Sequence, residues 1–459
     1  MSLIKPSVTI SQTSHSDQYA RPFARPWRLS ISQDTMWRLL LLSALGPMFS
    51  NVLIFQMGGF AVTLPHLLLG IAAATVFLKS RRVNSRLALI CVVMILIQIC
   101  HALVSGFVVE LEWRNSFAQF VTYTTCFILL TGFKMDHNTS MRAASWTMQL
   151  GIFLGGINIL QFILFGFGVP AYLPDMWQVR GLDPFGVTYR YGDFRPAFGL
   201  ATEPSLHALG LVTLLACLLF LRGMGFVPNR RMWILSIITL LGAIVVSFSL
   251  TGIIIAGTLI LTSLLFLRAA RRLAFILFIV GMAFGIFAGG IVDPIRSRLQ
   301  RVSLGADNSA QVRVVGAVRL LFAPSSSFET FVFGTGLGME TRELGVYQGI
   351  YSEVSLRSGE WDVIKIHNIL TVVKVLQGWI GVVLYIILLW KILQPLTRKF
   401  RLYTPLFVLV ILYHFTSGYY LVPFFWSMLA LMVVLRRLPF QSESNQVHRP
   451  TAASQLNWK

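Results

Sequence analysis

Residues 204–221 read PSLHALGLVTLLACLLFL and contain no Asp, Glu, Lys or Arg. An apolar run of about 20 residues is long enough to cross a bilayer core of ~30 Å as a helix. The chain has 459 residues, and twelve apolar runs follow one another at 37–56, 60–78, 87–109, 117–133, 145–168, 204–221, 232–248, 250–267, 273–292, 367–390, 403–420 and 422–435. The sequence therefore predicts an all-α polytopic membrane protein with about twelve transmembrane helices.

The composition excludes several classes of protein. Hydrophobic residues make up 55% of the chain and charged residues 12%, and the mean hydropathy is +0.71. Because an average soluble domain carries about 25% charged residues, we exclude a soluble enzyme, a disordered chain and a DNA-binding protein. The cysteines lie inside apolar runs without the spacing of metal ligands, and we interpret them as buried hydrophobic residues: Cys91, Cys100, Cys126 and Cys217.

The positions of Lys and Arg predict the orientation. With the amino terminus in the cytoplasm and alternating runs, 25 of the 38 basic residues lie on the inner side and 12 on the outer side, and Lys374 lies inside a run. Basic residues are enriched in cytoplasmic loops, so the net charge of +20 requires no nucleic acid partner. We expect cytoplasmic tails at 1–35, which is rich in polar residues and disordered, and at 436–459, around a transmembrane domain at 36–435.

Two predicted outer segments, 169–203 and 293–366, are much longer than the others. They hold 11 of the 12 outer basic residues, and ten of these are arginine. The planar guanidinium group suits bidentate binding of phosphate or carboxylate. The loops therefore fit an enzyme that handles a lipid-linked phosphate, although solvated arginines paired with nearby acids would give the same composition.

The first candidate cluster is residues 193–205, DFRPAFGLATEPS. Proline suits the first position of a helix, so Pro204 predicts that Glu203 caps a helix at the outer membrane surface. A carboxylate is favoured there by the helix dipole, which is by itself a sufficient structural reason for Glu203. His207 lies one turn further on the same face, where it is a candidate for proton transfer or for orienting an arginine. No third ligand lies nearby, so a metal site is disfavoured.

The second cluster is residues 311–322, QVRVVGAVRLLF, which form an amphipathic helical pattern. Arg313 and Arg319 are six residues apart and point in different directions on a straight helix, so at most one of them faces a given ligand. The residues 333–338 that follow, FGTGLG, are interpreted as a turn.

The third cluster begins with His367-Asn368 at the outer end of an apolar run and continues with residues 377–381, QGWIG. A histidine at a membrane boundary is either a plain interfacial residue or a general base suited to neutral pH. Lys374 lies seven residues further on the same face. A charge at the centre of a membrane helix costs about 2.5–3.5 kcal/mol on insertion scales, so Lys374 is a functional candidate unless it snorkels to the surface.

These clusters resemble the superfamily of bacterial O-antigen polymerases and O-antigen ligases, and most closely the Wzy-type polysaccharide polymerases. The run R-x-x-x-G-x-x-x-E-P-S from Arg195 to Ser205 is similar to the polymerase pattern. Arg313, F-G-T-G-L-G, His367-Asn368 and Q-G-W-I-G are similar to the pattern that both families share in the second outer loop. The likeness spans about residues 190–385. Ile369-Leu370 departs from the usual ligase pattern, which favours the polymerases.

The resemblance implies a membrane fold of the C-type glycosyltransferase kind in the bacterial inner membrane, with two larger periplasmic loops. The donor would be a glycan on undecaprenyl diphosphate, and the acceptor would be a hydroxyl of another lipid-linked repeat unit. The resemblance implies no metal or other cofactor. Expected partners are the lipid-linked glycans, membrane lipids and, as a candidate, a chain-length regulator.

Within this framework each candidate residue has an expected role. We expect His367 to act as the general base and Glu203 to support catalysis by orienting an arginine. We expect Arg195 and Arg313 to bind the diphosphate. The further candidates for substrate binding are Arg319, His207 and Lys374. Two alternatives stay open: an O-antigen ligase that transfers the glycan to a lipid or protein, and a flippase or other transporter, which the intramembrane Lys374, His101 and His207 would also fit.

Overall fold

The computed structural model describes residues 32–49, 52–57, 60–79, 85–106, 124–125, 135–169, 171, 195–201, 203–265, 321–325, 327–336, 368–397, 400–416 and 423–435. The helices of this part are α1 (Gln33–Ala44), α2 (Leu64–Lys79), α3 (Ser85–Gly106), α4 (His137–Gly166), α5 (Pro204–Gly223), α6 (Arg230–Val246), α7 (Leu250–Leu265), α8 (Phe328–Phe333), α9 (Ile369–Thr397), α10 (Phe400–Thr416) and α11 (Pro423–Leu435). Apart from the start of α1, the two predicted tails lie outside the described residues.

The prediction of a largely helical chain is confirmed for the described residues, and some of their helices are candidates for crossing a membrane. Within the described part of the chain, three helical segments are long and apolar enough to cross a membrane: α4, α5 and residues Ile369–Gln394 of α9. Shorter apolar helices lie within α2, α3, α7, α10 and α11. The number twelve stays a prediction, because the runs at 117–133 and 273–292 lie almost entirely outside the described residues.

The first apolar run, 37–56, is not one helix, so the all-α prediction is wrong at this point. Helix α1 ends at Ala44, and a 3-10 turn follows at Gly46–Phe49. Pro47 has no backbone N–H to continue an α-helix. Strands β1 (Leu53–Met57) and β2 (Phe60–Thr63) then form an antiparallel hairpin.

Helix α4 begins earlier than its apolar run because a polar cap extends it. The carboxylate of Asp136 accepts the backbone N–H of Thr139 at 2.7 Å, which is the usual N-cap arrangement. The hydrogen bonds from Thr139 hold the pKa of Asp136 below its ordinary value. The cap adds two turns ahead of the apolar residues.

Helix α5 lies at the centre of the bundle and is buried along nearly all of its length. It packs against α4, α6, α7 and α10. Helices α4 and α6 approach closely at Gly155, where an added Cβ would lie 3.1 Å from the carbonyl oxygen of Thr239. Small residues commonly permit such contacts between membrane helices. A buried hydrogen bond of 2.6 Å between Ser43 and Ser427 joins α1 to α11, near the two ends of the described chain.

Candidate functional site

Helix α9 consists of two halves that meet at Gly378. This glycine has φ 63° and ψ −167°, a combination that is essentially restricted to glycine. Asn368 caps the first half, since its side-chain oxygen accepts the backbone N–H of Leu370 at 2.9 Å. Every residue of the first half except Leu370 is buried. The rest of the protein therefore surrounds this half on nearly all sides.

A stripe of buried polar side chains follows the first half of α9, and we call Asn368, Thr371, Lys374 and Gln377 the polar stripe. Each member is at most 4% exposed. Residues three apart are neighbours on a helix surface, so the four side chains form a continuous path from the start of α9 to the break. Burying polar and charged groups in a membrane-crossing helix is unfavourable, and such a path is therefore a candidate for function.

The segment 333–336, which contains most of the FGTGLG motif, lies against the break in α9 and is hydrogen-bonded to it. The backbone N–H of Thr335 donates to the carbonyl of Val375 at 2.7 Å, and that of Gly336 donates to the carbonyl of Leu376 at 3.0 Å. The Thr335 hydroxyl also donates to Val375, at 3.0 Å. These donors take the place of the helical N–H groups that the break removes. Phe333 is the last residue of α8, residues 334–336 are irregular and contact the QGWIG motif, and residues 337–338 of the predicted turn lie outside the described residues.

Lys374 and His101 fix the neighbouring chain around this junction. The ammonium group of Lys374 donates to the carbonyl oxygen of Ala323 at 2.8 Å. The Nε2 of His101, on α3, lies 3.1 Å from the carbonyl oxygen of Gly334, which can only accept, so Nε2 carries the proton. Lys374 is therefore held inside the protein and does not snorkel to the surface.

A second cluster covers the start of α5. The side chain of Gln161, on α4, accepts the backbone N–H groups of Phe198 at 2.8 Å and Gly199 at 2.7 Å. Its amide nitrogen donates to the carbonyl of Ala171 at 2.8 Å. The N–H of Ala197 donates to the carbonyl of Val246 at 3.0 Å. These bonds hold the segment 195–201 against the bundle.

Glu203 and His207 follow this segment in the chain, at the start of α5. Glu203 occupies the N-cap position before Pro204, as predicted, but its side chain does not cap the backbone. The carboxylate instead accepts the hydroxyl of Ser205 at 3.1 Å. His207 is 2% exposed, and neither of its ring nitrogens has a hydrogen-bond partner among the described residues. The imidazole packs against Gly199, where an added Cβ would collide with the ring.

We predict that Gly199→Ala destabilises the protein more than Gly168→Ala. Both glycines have positive φ, 56° and 73°, but none of the described residues lies within 4 Å of a Cβ added at Gly168. Alanine in this left-handed region costs about 1–2 kcal/mol, so Gly168→Ala measures that cost alone, whereas Gly199→Ala must also displace the imidazole. The free energy of unfolding in detergent micelles measures the difference.

A double-mutant cycle isolates the contact with the ring. In a His207→Ala background, Gly199→Ala is expected to destabilise no more than Gly168→Ala does. If the effects of Gly199→Ala and His207→Ala simply add, the ring does not pack against Gly199 as described.

The structure thus divides the predicted site residues between two clusters. Lys374 lies at the junction of the FGTGLG and QGWIG motifs, while Arg195, Glu203 and His207 lie at the start of α5. Arg195 is partly buried at the beginning of the segment 195–201. The remaining predicted site residues lie outside the described part of the chain: Arg313, Arg319 and His367.

Sequence reasoning missed Gln161 and the role of His101. Gln161 is an uncharged amide inside the apolar run 145–168, and a buried polar residue in such a run is a signal that could have been used. His101 was noted only as an intramembrane histidine. Its partner Gly334 is 233 positions away in the chain, and no local pattern predicts that pairing.

Among the described residues, no three His, Cys, Asp or Glu side chains lie close enough together to hold a metal ion. The chain matches no protein-family model, and it matches no curated protein sequence.

Proposed function

We propose that the chain is a membrane glycosyltransferase that polymerises oligosaccharide repeat units linked to undecaprenyl diphosphate, at the periplasmic face of a bacterial inner membrane. The observation that carries the proposal is the buried Lys374 in the polar stripe, beside the junction of two motifs that resemble those of Wzy-type polymerases. A buried cation next to a path of polar groups suits an anionic substrate.

The reaction needs positive charge where the leaving group departs. A hydroxyl of the acceptor attacks the anomeric carbon of the donor glycan, the new glycosidic bond forms, and the bond to the diphosphate breaks. Charge-assisted hydrogen bonds contribute about 1.5–3 kcal/mol each. In this proposal Lys374, Arg195 and Arg313 stabilise the departing diphosphate, with Arg319 and His207 as further binding residues.

The acceptor hydroxyl must also lose a proton. In this proposal His367 is the general base that accepts the proton. It is the residue before Asn368, which caps α9. Glu203 supports the reaction from the start of α5. Its carboxylate is bonded to the Ser205 hydroxyl rather than to the backbone, so an oxygen can still orient an arginine.

Elongation by the purified protein tests the proposal. In detergent micelles supplied with lipid-linked repeat units, the protein should produce lipid-linked glycans of two or more units without a metal or nucleotide. A ligase would instead elongate nothing until its lipid or protein acceptor was added. Failure of elongation with every lipid-linked glycan tried, including that of the source organism, would contradict the proposal.

The break in α9 favours one second candidate, a flippase or other transporter of lipid-linked oligosaccharides. Transporters often place their substrate sites at discontinuous membrane helices, and Gly378 interrupts such a helix. The two functions separate cleanly, because micelles have no compartments. Elongation in micelles requires a transferase, whereas movement of lipid-linked glycan across vesicle membranes without elongation requires a transporter.

We predict that Lys374→Met lowers kcat/KM for the lipid-diphosphate donor by roughly 10–150-fold, which corresponds to about 1.5–3 kcal/mol. Lys391→Met is the matched control, since it makes the same change near the other end of α9 and should leave turnover near wild type. The Lys374 variant also loses the hydrogen bond to the carbonyl of Ala323, so thermal stability is measured beside turnover, and turnover is compared at a temperature at which both variants are folded. Equal effects of the two variants would remove Lys374 from donor binding.

A further inference from the structure

Four phenylalanine side chains are exposed close together in the chain, and we call Phe322, Phe328, Phe331 and Phe333 the Phe patch. Their exposed fractions are 71%, 79%, 46% and 44%. All four belong to the predicted outer segment 293–366. Contiguous exposed apolar surface on a protein marks an interaction with another apolar surface.

The Phe patch is fixed against a membrane-crossing helix. The end of α8 lies directly on the break in α9, since an added Cβ at Gly378 would collide with the backbone of Val332. The hydrogen bonds from Thr335 and Gly336 to α9 continue this contact. The position of Gly378 in the membrane therefore determines the depth of the patch.

The length of α9 places Gly378 inside the hydrocarbon layer. About 20 helical residues cross a core of ~30 Å. If the inner boundary lies at Gln394, where the apolar segment ends, the outer boundary lies near residue 375. If the boundary lies at Lys391, the outer boundary lies near residue 372. Gly378 is then about 4–9 Å below the surface at a rise of 1.5 Å per residue.

The patch continues the lipid-facing surface of α9. Large apolar side chains on one side of its second half are exposed, including Val383 at 54% and Trp390 at 56%. Trp379 begins the same helical face, because residues 379, 383 and 390 lie within a narrow arc at 100° per residue. The ring of Phe331 lies 6.2 Å from that of Trp379. This ring contact joins the exposed face of α9 to α8.

We propose that the Phe patch inserts into the acyl chains of the bilayer leaflet at the amino-terminal end of α9. Residues 321–336 are then a re-entrant part of the membrane domain rather than an aqueous loop. The irregular backbone at 334–336 is tolerated at this depth because it is buried and bonded to α9. The exposed Glu329, about 100° around α8 from Phe328, stays at the level of the headgroups. This inference concerns membrane topology and stands without the proposed function.

Spin labelling of the full chain in phosphatidylcholine vesicles tests the depth. A nitroxide is attached to Phe328→Cys in a chain whose four native cysteines are replaced by alanine. Val383→Cys provides the lipid reference, and Arg231→Cys, on an exposed residue at the start of α6, provides the aqueous one. We expect the ratio of oxygen to nickel-complex collision rates at position 328 to match that at position 383 and to exceed that at position 231 several-fold.

Three results would overturn the inference. A ratio like that at position 231 would place the patch in water. Low collision rates with both reagents would mean that protein covers it, as in a second copy of the chain. A lipid-like ratio that appears only after polyprenyl lipid is added would assign the patch to the substrate tail. Photo-crosslinking from benzoylphenylalanine at position 328, in the chain with native cysteines, should label phospholipid and repeats the test without the cysteine substitutions.

Discussion

Adding a single methyl group at Gly378 is expected to separate α9 from the segment 333–336 and to destabilise the whole protein. The backbone conformation alone costs alanine about 1–3 kcal/mol. The new Cβ would also collide with the backbone of Val332, which cannot move aside as a flexible side chain can, and overpacking of this kind adds about 1–3 kcal/mol. Together these losses are a large part of a typical stability of about 5–15 kcal/mol.

Gly156→Ala is the matched control for this experiment. Gly156 also lies inside a membrane-crossing helix, α4, but nothing lies within 4 Å of an added Cβ. Because alanine is the better helix former, this variant should be as stable as wild type or up to about 1 kcal/mol more stable. Melting in detergent micelles, together with the yield of monodisperse protein, compares the two variants. Similar melting temperatures would mean that α9 does not break at Gly378.

The long apolar helices could be predicted from sequence, because an uninterrupted apolar run of about 20 residues favours a helix long enough to cross a membrane. The runs 145–168 and 204–221 correspond to α4 and α5 with small shifts at their ends. The prediction of a single helix over the run 37–56 is wrong for a local reason. Gly46-Pro47 ends the helix before it is long enough to cross a membrane. The mean hydropathy of a run changes little when it contains one proline, although that proline can end the helix.

The break in α9 could not be predicted in the same way. Glycine is common in straight membrane helices, where it permits close packing, so the motif QGWIG does not by itself imply positive φ. The break is stable because Thr335 and Gly336 bond the carbonyls that it leaves open. That compensation comes from a segment about 40 residues earlier in the chain, and only the folded structure shows it.

The candidate site was predictable by residue type but not by arrangement. Lys374 was selected because a buried charge in an apolar run is costly, and the structure buries it as expected. Glu203 was selected as a helix cap and does occupy that position, yet its carboxylate bonds Ser205 instead. Gln161 has no local signature beyond its polarity, because its partners are backbone groups 10 to 38 residues away.

His367→Ala is expected to reduce elongation of lipid-linked glycans by about 10²–10⁴-fold, the usual contribution of a general base. A sugar hydroxyl does not ionise near neutral pH, so it must give its proton to a neighbouring base as it attacks. The ordinary pKa of histidine, about 6.5, leaves the ring mostly neutral at pH 7. The next residue in the chain, Asn368, is buried, caps the start of α9 and is the first member of the polar stripe.

The pH profile separates a catalytic effect of His367→Ala from a structural one. If the base must be neutral, the wild-type rate falls as the pH drops and the imidazole takes up a proton, and the residual rate of the variant should lack this fall. His137→Ala, which removes an imidazole from the first residue of α4, should keep both the rate and the profile of wild type. If His367→Ala turned over normally while Glu203→Gln was inactive, the base would be Glu203. Normal turnover by both variants would place the proton acceptor elsewhere in the protein.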